Sequence, residues 1–119
     1  MKNKLFDSEL HIMQILWKEG DTPAKHIAEL MANQTGWSKT TTYTVIKKCI
    51  DKGAIERREP EFICHALISR KEAQQSETGE LVEKLFDGKA DHLVASILGN
   101  GSLSSAQIAE LKKIIDDLE

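Results

Sequence analysis

The residues of this 119-residue chain that could hold a metal or attack a substrate are four histidines, His11, His26, His65 and His92, and two cysteines, Cys49 and Cys64. Their spacing serves neither purpose. There is no His-x-x-x-His or Cys-x-x-Cys pair of the kind that builds a metal site. There is no Gly-rich phosphate loop and no Gly-x-Ser-x-Gly elbow. The expectation is therefore no metal, no cofactor and no enzyme. The histidines read as surface or partly buried side chains. Cys49 falls on the inner side of a helix and reads as a small core residue; Cys64 fits core or surface equally.

Recognition chemistry is better represented. On a helical wheel of residues 39–52, Thr42, Val45, Ile46 and Cys49 cluster on one side. Thr40, Tyr43, Thr44 and Lys47 fall on the other, flanked by Lys48. Hydroxyls, one aromatic ring and ammoniums can donate to phosphates, touch thymine methyls and bond base edges in a major groove. Ser38, Lys39 and Thr41 stand at the N-terminal turn, the part that a recognition helix presents to bases. A weak helix start accounts for the threonines without DNA. The charge pattern points the same way as the wheel. The net charge is −3, yet residues 37–58 hold Lys39, Lys47, Lys48, Lys52, Arg57 and Arg58 against only Asp51 and Glu56. On charge alone, a solvated helix face explains this segment equally well.

These side chains need a scaffold, and the periodicity supplies one. A first helix is expected from Asp7 or Ser8 as cap, with Leu10, Ile12, Met13, Ile15, Leu16 and Trp17 inward and Gly20 as its stop. Thr22-Pro23 reads as the start of a second helix, which turns Ile27, Leu30 and Met31 inward and stops near Gly36. Ser38 caps a third helix over Lys39 to about Lys52, and Gly53 ends it. Residues 54–58 and 62–67 read as strands around a break at Glu59-Pro60-Glu61. Ser69 to Glu72 is a capping box that opens a fourth helix to about Phe86. A shorter helix carries Leu93, Val94, Ile97 and Leu98 up to a break at Gly99-Asn100-Gly101. Ser104 to Gln107 is a second capping box, opening a last helix with Ile108, Leu111, Ile115 and Leu118 on one face.

The predicted fold is mainly α with a small β-hairpin: a winged helix-turn-helix head, residues 1–68, and an α-helical dimerisation tail, residues 69–119. The tail's apolar residues, Leu81, Leu85, Leu93, Val94, Ile97, Leu111, Ile115 and Leu118, exceed what so short a segment buries alone, which predicts a homodimer. No apolar run is long enough for a signal peptide or membrane helix, so a cytoplasmic protein with reduced cysteines is expected.

The ordered set of motifs resembles the penicillinase-repressor family (BlaI/MecI type). Its opening is matched by Asp7-Ser8-Glu9-Leu10 with Ile12-Met13 and Leu16-Trp17. Its recognition-helix segment is matched by Trp37-Ser38, Thr41, Thr44, Lys48 and Lys52-Gly53-Ala54. The exit from its wing is matched by Leu67-Ile68-Ser69, and its tail by Leu85-Phe86-Asp87-Gly88, Leu103-Ser104, Ile108 and Glu110-Leu111-Lys112. The resemblance implies a dimeric repressor on a palindromic double-stranded DNA operator, inactivated by proteolysis after a membrane sensor protease detects β-lactam. A copper-responsive sister branch uses a cysteine cluster near its C-terminus, which this chain does not have beyond Cys64. Two places depart from the family pattern. Where a Gly-Arg turn and alternating tyrosines are usual in the wing, this chain has Glu59-Pro60, then Phe62 and Cys64; Arg57 and Arg58 keep the wing's stem basic and are expected to touch the DNA backbone, while Glu59 and Glu61 at the tip repel phosphate. The family's cleavage bond, commonly Asn-Phe, aligns with Ser96-Ile97. The depleted wing leaves a second reading open: a winged-helix module that binds protein and has little DNA affinity.

Overall fold

The computed structural model describes residues 4–118. The chain divides into two compact units, one ending at Glu77 and the other starting at Thr78.

The first unit begins with helix α1, Asp7–Glu19. Phe6, not Asp7 or Ser8, holds the cap position in extended backbone. Its N–H donates to Glu9 Oε1 at 2.7 Å, so a glutamate three residues on does the capping that a serine or aspartate was expected to do. Asp7 becomes the first helical residue, where its charge suits the positive end of the helix dipole. Gly20 ends α1 at φ +82°, with its N–H on the Leu16 carbonyl.

Thr22–Pro23 also departs from expectation. It forms a two-residue strand, β1, and Pro23, not Thr22, takes the N-cap position of the helix that follows. The Thr22 hydroxyl donates back to the Gly20 carbonyl at 2.8 Å and so is not free to cap. Proline lacks an N–H for the ladder and is tolerated at a sheet edge. Helix α2 then runs Ala24–Thr35. Its first N–H is satisfied by the Phe62 carbonyl at 2.9 Å, across the sheet, in place of a side-chain cap. Gly36, at φ +76°, closes α2 in the left-handed region.

Helix α3 spans Lys39–Asp51 under a Ser38 cap, as expected. Strands β2, Ile55–Arg58, and β3, Ile63–Ala66, pair antiparallel with Ile55 opposite Ala66 and Arg58 opposite Ile63. β1 adds to the other side of β3, so the sheet has three strands in the order β1-β3-β2. The core beneath joins Ile12 and Met13 of α1, Ile27 and Met31 of α2, Ile46 and Cys49 of α3, and Ile55 and Cys64 of the sheet. Cys64 is thus core. The Trp17 indole N–H donates to the Ile68 carbonyl at 2.9 Å and ties α1 to the chain leaving β3.

One pair inside this unit is ionic. Glu9 is fully buried, and Lys52 Nζ donates to its Oε1 at 2.6 Å and to the Lys4 carbonyl at 2.6 Å. The ammonium also lies 3.8 Å from the Phe6 ring centroid. Lys52 therefore turns inward, and its charge is spent within the fold.

Helix α4 covers Arg70–Leu85 and opens on the Ser69–Glu72 capping box. Its first turns carry Ala73 into the core of the first unit. The second unit holds its remainder, helix α5, Ala90–Gly99, and helix α6, Ser105–Asp117. α6 starts on the Ser104–Gln107 capping box. Gly99 lies inside α5, so the break starts at Asn100.

Candidate nucleic-acid interface

α3 owes its orientation to its inner face. Thr42, Val45, Ile46 and Cys49 are buried, so the opposite face must point outward. Its first turn is fixed by Ser38, whose Oγ accepts the Thr41 N–H at 3.1 Å and donates to the Thr41 hydroxyl oxygen at 2.9 Å. Thr42 is likewise tied, donating to the Ser38 carbonyl at 3.2 Å. Outward stand Thr40, Thr44, Lys47 and Lys48, exposed, with Tyr43 half-buried beside them. The Thr44 hydroxyl donates to the Thr40 carbonyl at 2.9 Å, so toward a ligand it offers lone pairs and a methyl. Lys39 holds its ammonium 5.7 Å from the Tyr43 ring centroid. Among the described residues, Lys39, Lys47 and Lys48 have no carboxylate partner, whereas other basic residues of the segment do.

The hairpin behaves differently. The Arg57 side chain pairs with Glu59, and its guanidinium sits 3.7 Å from the Phe62 ring centroid. Arg58 donates to Glu56 at 2.7 Å and reaches Asp21 at 3.5 Å; Asp21 in turn meets His65 Nδ1 at 2.7 Å. Both wing arginines are thus compensated by neighbouring carboxylates. Phe62 meets Tyr43 edge to face, centroids 5.8 Å apart and planes at 87°.

Between α3 and the hairpin lies a concavity of about 720 Å3. Lys39, Thr40, Tyr43, Thr44, Lys47 and Arg57 line it, which brings six of the expected site residues together. Ser38, Thr41, Lys48 and Arg58 lie outside its lining. Ile50, Asp51 and Phe62 complete the wall and were not expected there. Asp51 falls on the Lys47 side of the wheel, so its place was legible; Phe62 arrives only through the folding of the hairpin, which local spacing does not encode.

Of the tail residues expected to form an interface, Leu81, Leu85, Val94, Ile97, Ile115 and Leu118 are exposed, and Leu93 and Leu111 are half-buried. Ser96 and Ile97 are both exposed and lie within α5. No group of three or more His, Cys, Asp or Glu side chains among the described residues could hold a metal ion. No helix among them is long and apolar enough to cross a membrane.

A helix-turn-helix whose second helix projects hydroxyls, a ring and ammoniums, backed by a small antiparallel sheet, defines a winged-helix DNA-binding module. A model of the penicillinase repressor family matches residues 5–117, and the chain belongs to that family, one of DNA-binding transcriptional repressors and not of enzymes. It is 26% identical over 121 residues to the methicillin resistance regulatory protein MecI of Staphylococcus aureus (strain N315), covering 98% of each chain. It is 22% identical over 116 residues to the penicillinase repressor of Bacillus licheniformis, covering 96% of this chain and 91% of that one. The solution structure of the DNA binding domain of the repressor BlaI matches with a TM-score of 0.55 at 24% identity, over 60% of this chain and 93% of that domain, a likeness of fold.

Proposed function

We propose that this chain is a cytoplasmic homodimeric repressor whose α3 enters the major groove of a palindromic operator. Residues 1–68 form the DNA-binding head and residues 69–119 the dimerising tail. The observation that carries this reading is the outer face of α3, where, among the described residues, Lys39, Lys47 and Lys48 have no carboxylate partner while most neighbouring charges are paired. Thr40, Tyr43 and Thr44 then serve base edges and thymine methyls, and the lysines serve phosphates. Release comes from a cut at Ser96–Ile97 by a membrane sensor protease. α5 supports this: it is ten residues long and has no side-chain cap at Lys89, so it is a marginal helix that unwinds easily into a protease cleft.

The test is selection of duplexes from a random-sequence pool, followed by salt titration of the enriched site. Lys47→Ala is expected to weaken every sequence alike and lower the salt slope by about 1. Thr40→Ala is expected to cost about 1–3 kcal/mol at one base position only. The paired wing arginines favour a second reading, a module that binds protein. A pool that yields no enriched sequence would support it.

A further inference from the structure

Arg57 lines the α3 groove from the wing, yet its placement is wrong for a phosphate contact. Its charge is already met by Glu59. Its Cζ lies over the Phe62 ring, 3.7 Å from the centroid, a distance at which a guanidinium can stack. Phe62, in turn, meets Tyr43 at 5.8 Å and 87°, the favoured edge-to-face geometry of an aromatic pair. The Phe62 backbone is held at φ +51°, a region that non-glycine residues rarely adopt, and its carbonyl is fixed by the Ala24 N–H at 2.9 Å. The Phe62 ring is thus held by the Arg57 guanidinium over its face and by an edge-to-face contact with Tyr43. Tyr43 is the one aromatic side chain on the outer face of the helix that reads DNA.

We infer that Arg57 and Phe62 are positioning residues for Tyr43: the wing serves base discrimination by α3 and leaves phosphate binding to the lysines. The inference rests on α3 being the reading helix. The two roles for Arg57 make opposite demands. A phosphate contact needs charge and tolerates lysine; a stack needs a plane and tolerates glutamine. Leucine at position 62 keeps apolar bulk and bears the same backbone cost as phenylalanine, so it removes the ring alone.

The experiment uses the full chain and, as probe, the tightest duplex selected from a random pool, with its single-base-pair variants. Affinity for each is measured across a range of salt, and thermal melts check that every variant is folded. Arg57→Gln should keep discrimination among the variants within about twofold, with an unchanged salt slope. Phe62→Leu, and Arg57→Lys because it keeps the charge but loses the planar group, should each narrow discrimination about three- to tenfold at the same base pair that Tyr43→Leu affects. A salt slope that falls by about 1 in Arg57→Gln and is restored in Arg57→Lys overturns the inference and makes Arg57 a phosphate contact. Unchanged discrimination in Phe62→Leu also overturns it. If the wild-type chain enriches no sequence, the DNA reading itself fails, and this inference falls with it.

Discussion

Cys49 and Cys64 show how completely burial can silence a reactive side chain. Burial, and then the Glu9 carboxylate, push the Cys49 thiol from its ordinary 9.0 up to about 12. Burial pushes Cys64 up to about 11, with the Arg57 charge acting in the opposite direction. Thiolates are the reactive form, so both cysteines should resist a disulfide reagent at pH 8 in the folded protein and react at once in denaturant. Fast labelling of the native chain would contradict their packing. The sign of the pH effect follows from the same shifts. An unfolded chain releases its thiol protons near pH 9, whereas the folded chain holds them to about 11 and 12. The stability they contribute is complete below pH 9 and is lost as pH rises through 11 to 12. Denaturation midpoints should therefore fall above pH 9, and Cys49→Ala with Cys64→Ala should flatten that fall. Equal alkaline slopes in both proteins would mean other groups cause it.

At the scale of elements, a basic residue's partner decides its role. Lys47 on α3 and Lys52 at its C-cap are the same residue type five positions apart, yet one faces out and the other joins α3 to the start of α1. The wheel contained that difference, because position 52 returns to the side of Val45. What spacing did not contain was the partner, a fully buried glutamate 43 residues earlier. Lys52→Met strands that carboxylate and should cost about 3–5 kcal/mol, a large share of a small domain's stability. Adding Glu9→Gln removes the stranded charge and keeps an oxygen for the Phe6 N–H, so the double variant should recover most of the loss. Chemical denaturation decides; a double variant no better than Lys52→Met would show that the pair is not the cause. The helices were legible because each has an apolar stripe and a recognisable stop. β1 was not, since Thr22-Pro23 satisfies helix-start chemistry locally and becomes a strand only because β3 offers an edge. The wing was legible as strands, but its electrostatics were not. Arg57 and Arg58 looked available to DNA, and folding pairs them with Glu59, Glu56 and Asp21. Replacing Glu59 and Glu61 with glutamine should release Arg57 and remove like charge near phosphate, so binding should tighten several-fold and its salt slope steepen by up to about 1. Unchanged affinity would place the hairpin off the duplex.

For the whole molecule, the decisive feature is the apolar surface of the second unit. Leu85 is 68% exposed and Leu118 81%, with Val94, Leu98, Ile114 and Ile115 near half. So many large apolar side chains in contact with water mark an interaction face, and a second copy would supply a matching one by symmetry. Sedimentation at micromolar concentration should show a dimer, and a monomer there would refute the assignment. A dimer of this kind would also explain how a cut switches the molecule off. Each head alone holds a half-site weakly, and linking two heads turns the second contact into an intramolecular one at a high effective concentration. A chain ending at Ser96 loses Ile97, Leu111, Ile115 and Leu118, while the core of the first unit, which ends at Glu77, stays whole. It should melt as a folded protein, sediment as a monomer at concentrations where the full chain is paired, and bind the selected duplex at least a hundredfold more weakly. The salt slope per head should persist, because the lysines of α3 are untouched. If the shortened chain still dimerises and still binds at full affinity, a cut at this bond cannot be the release step, and the exposed face must serve another partner.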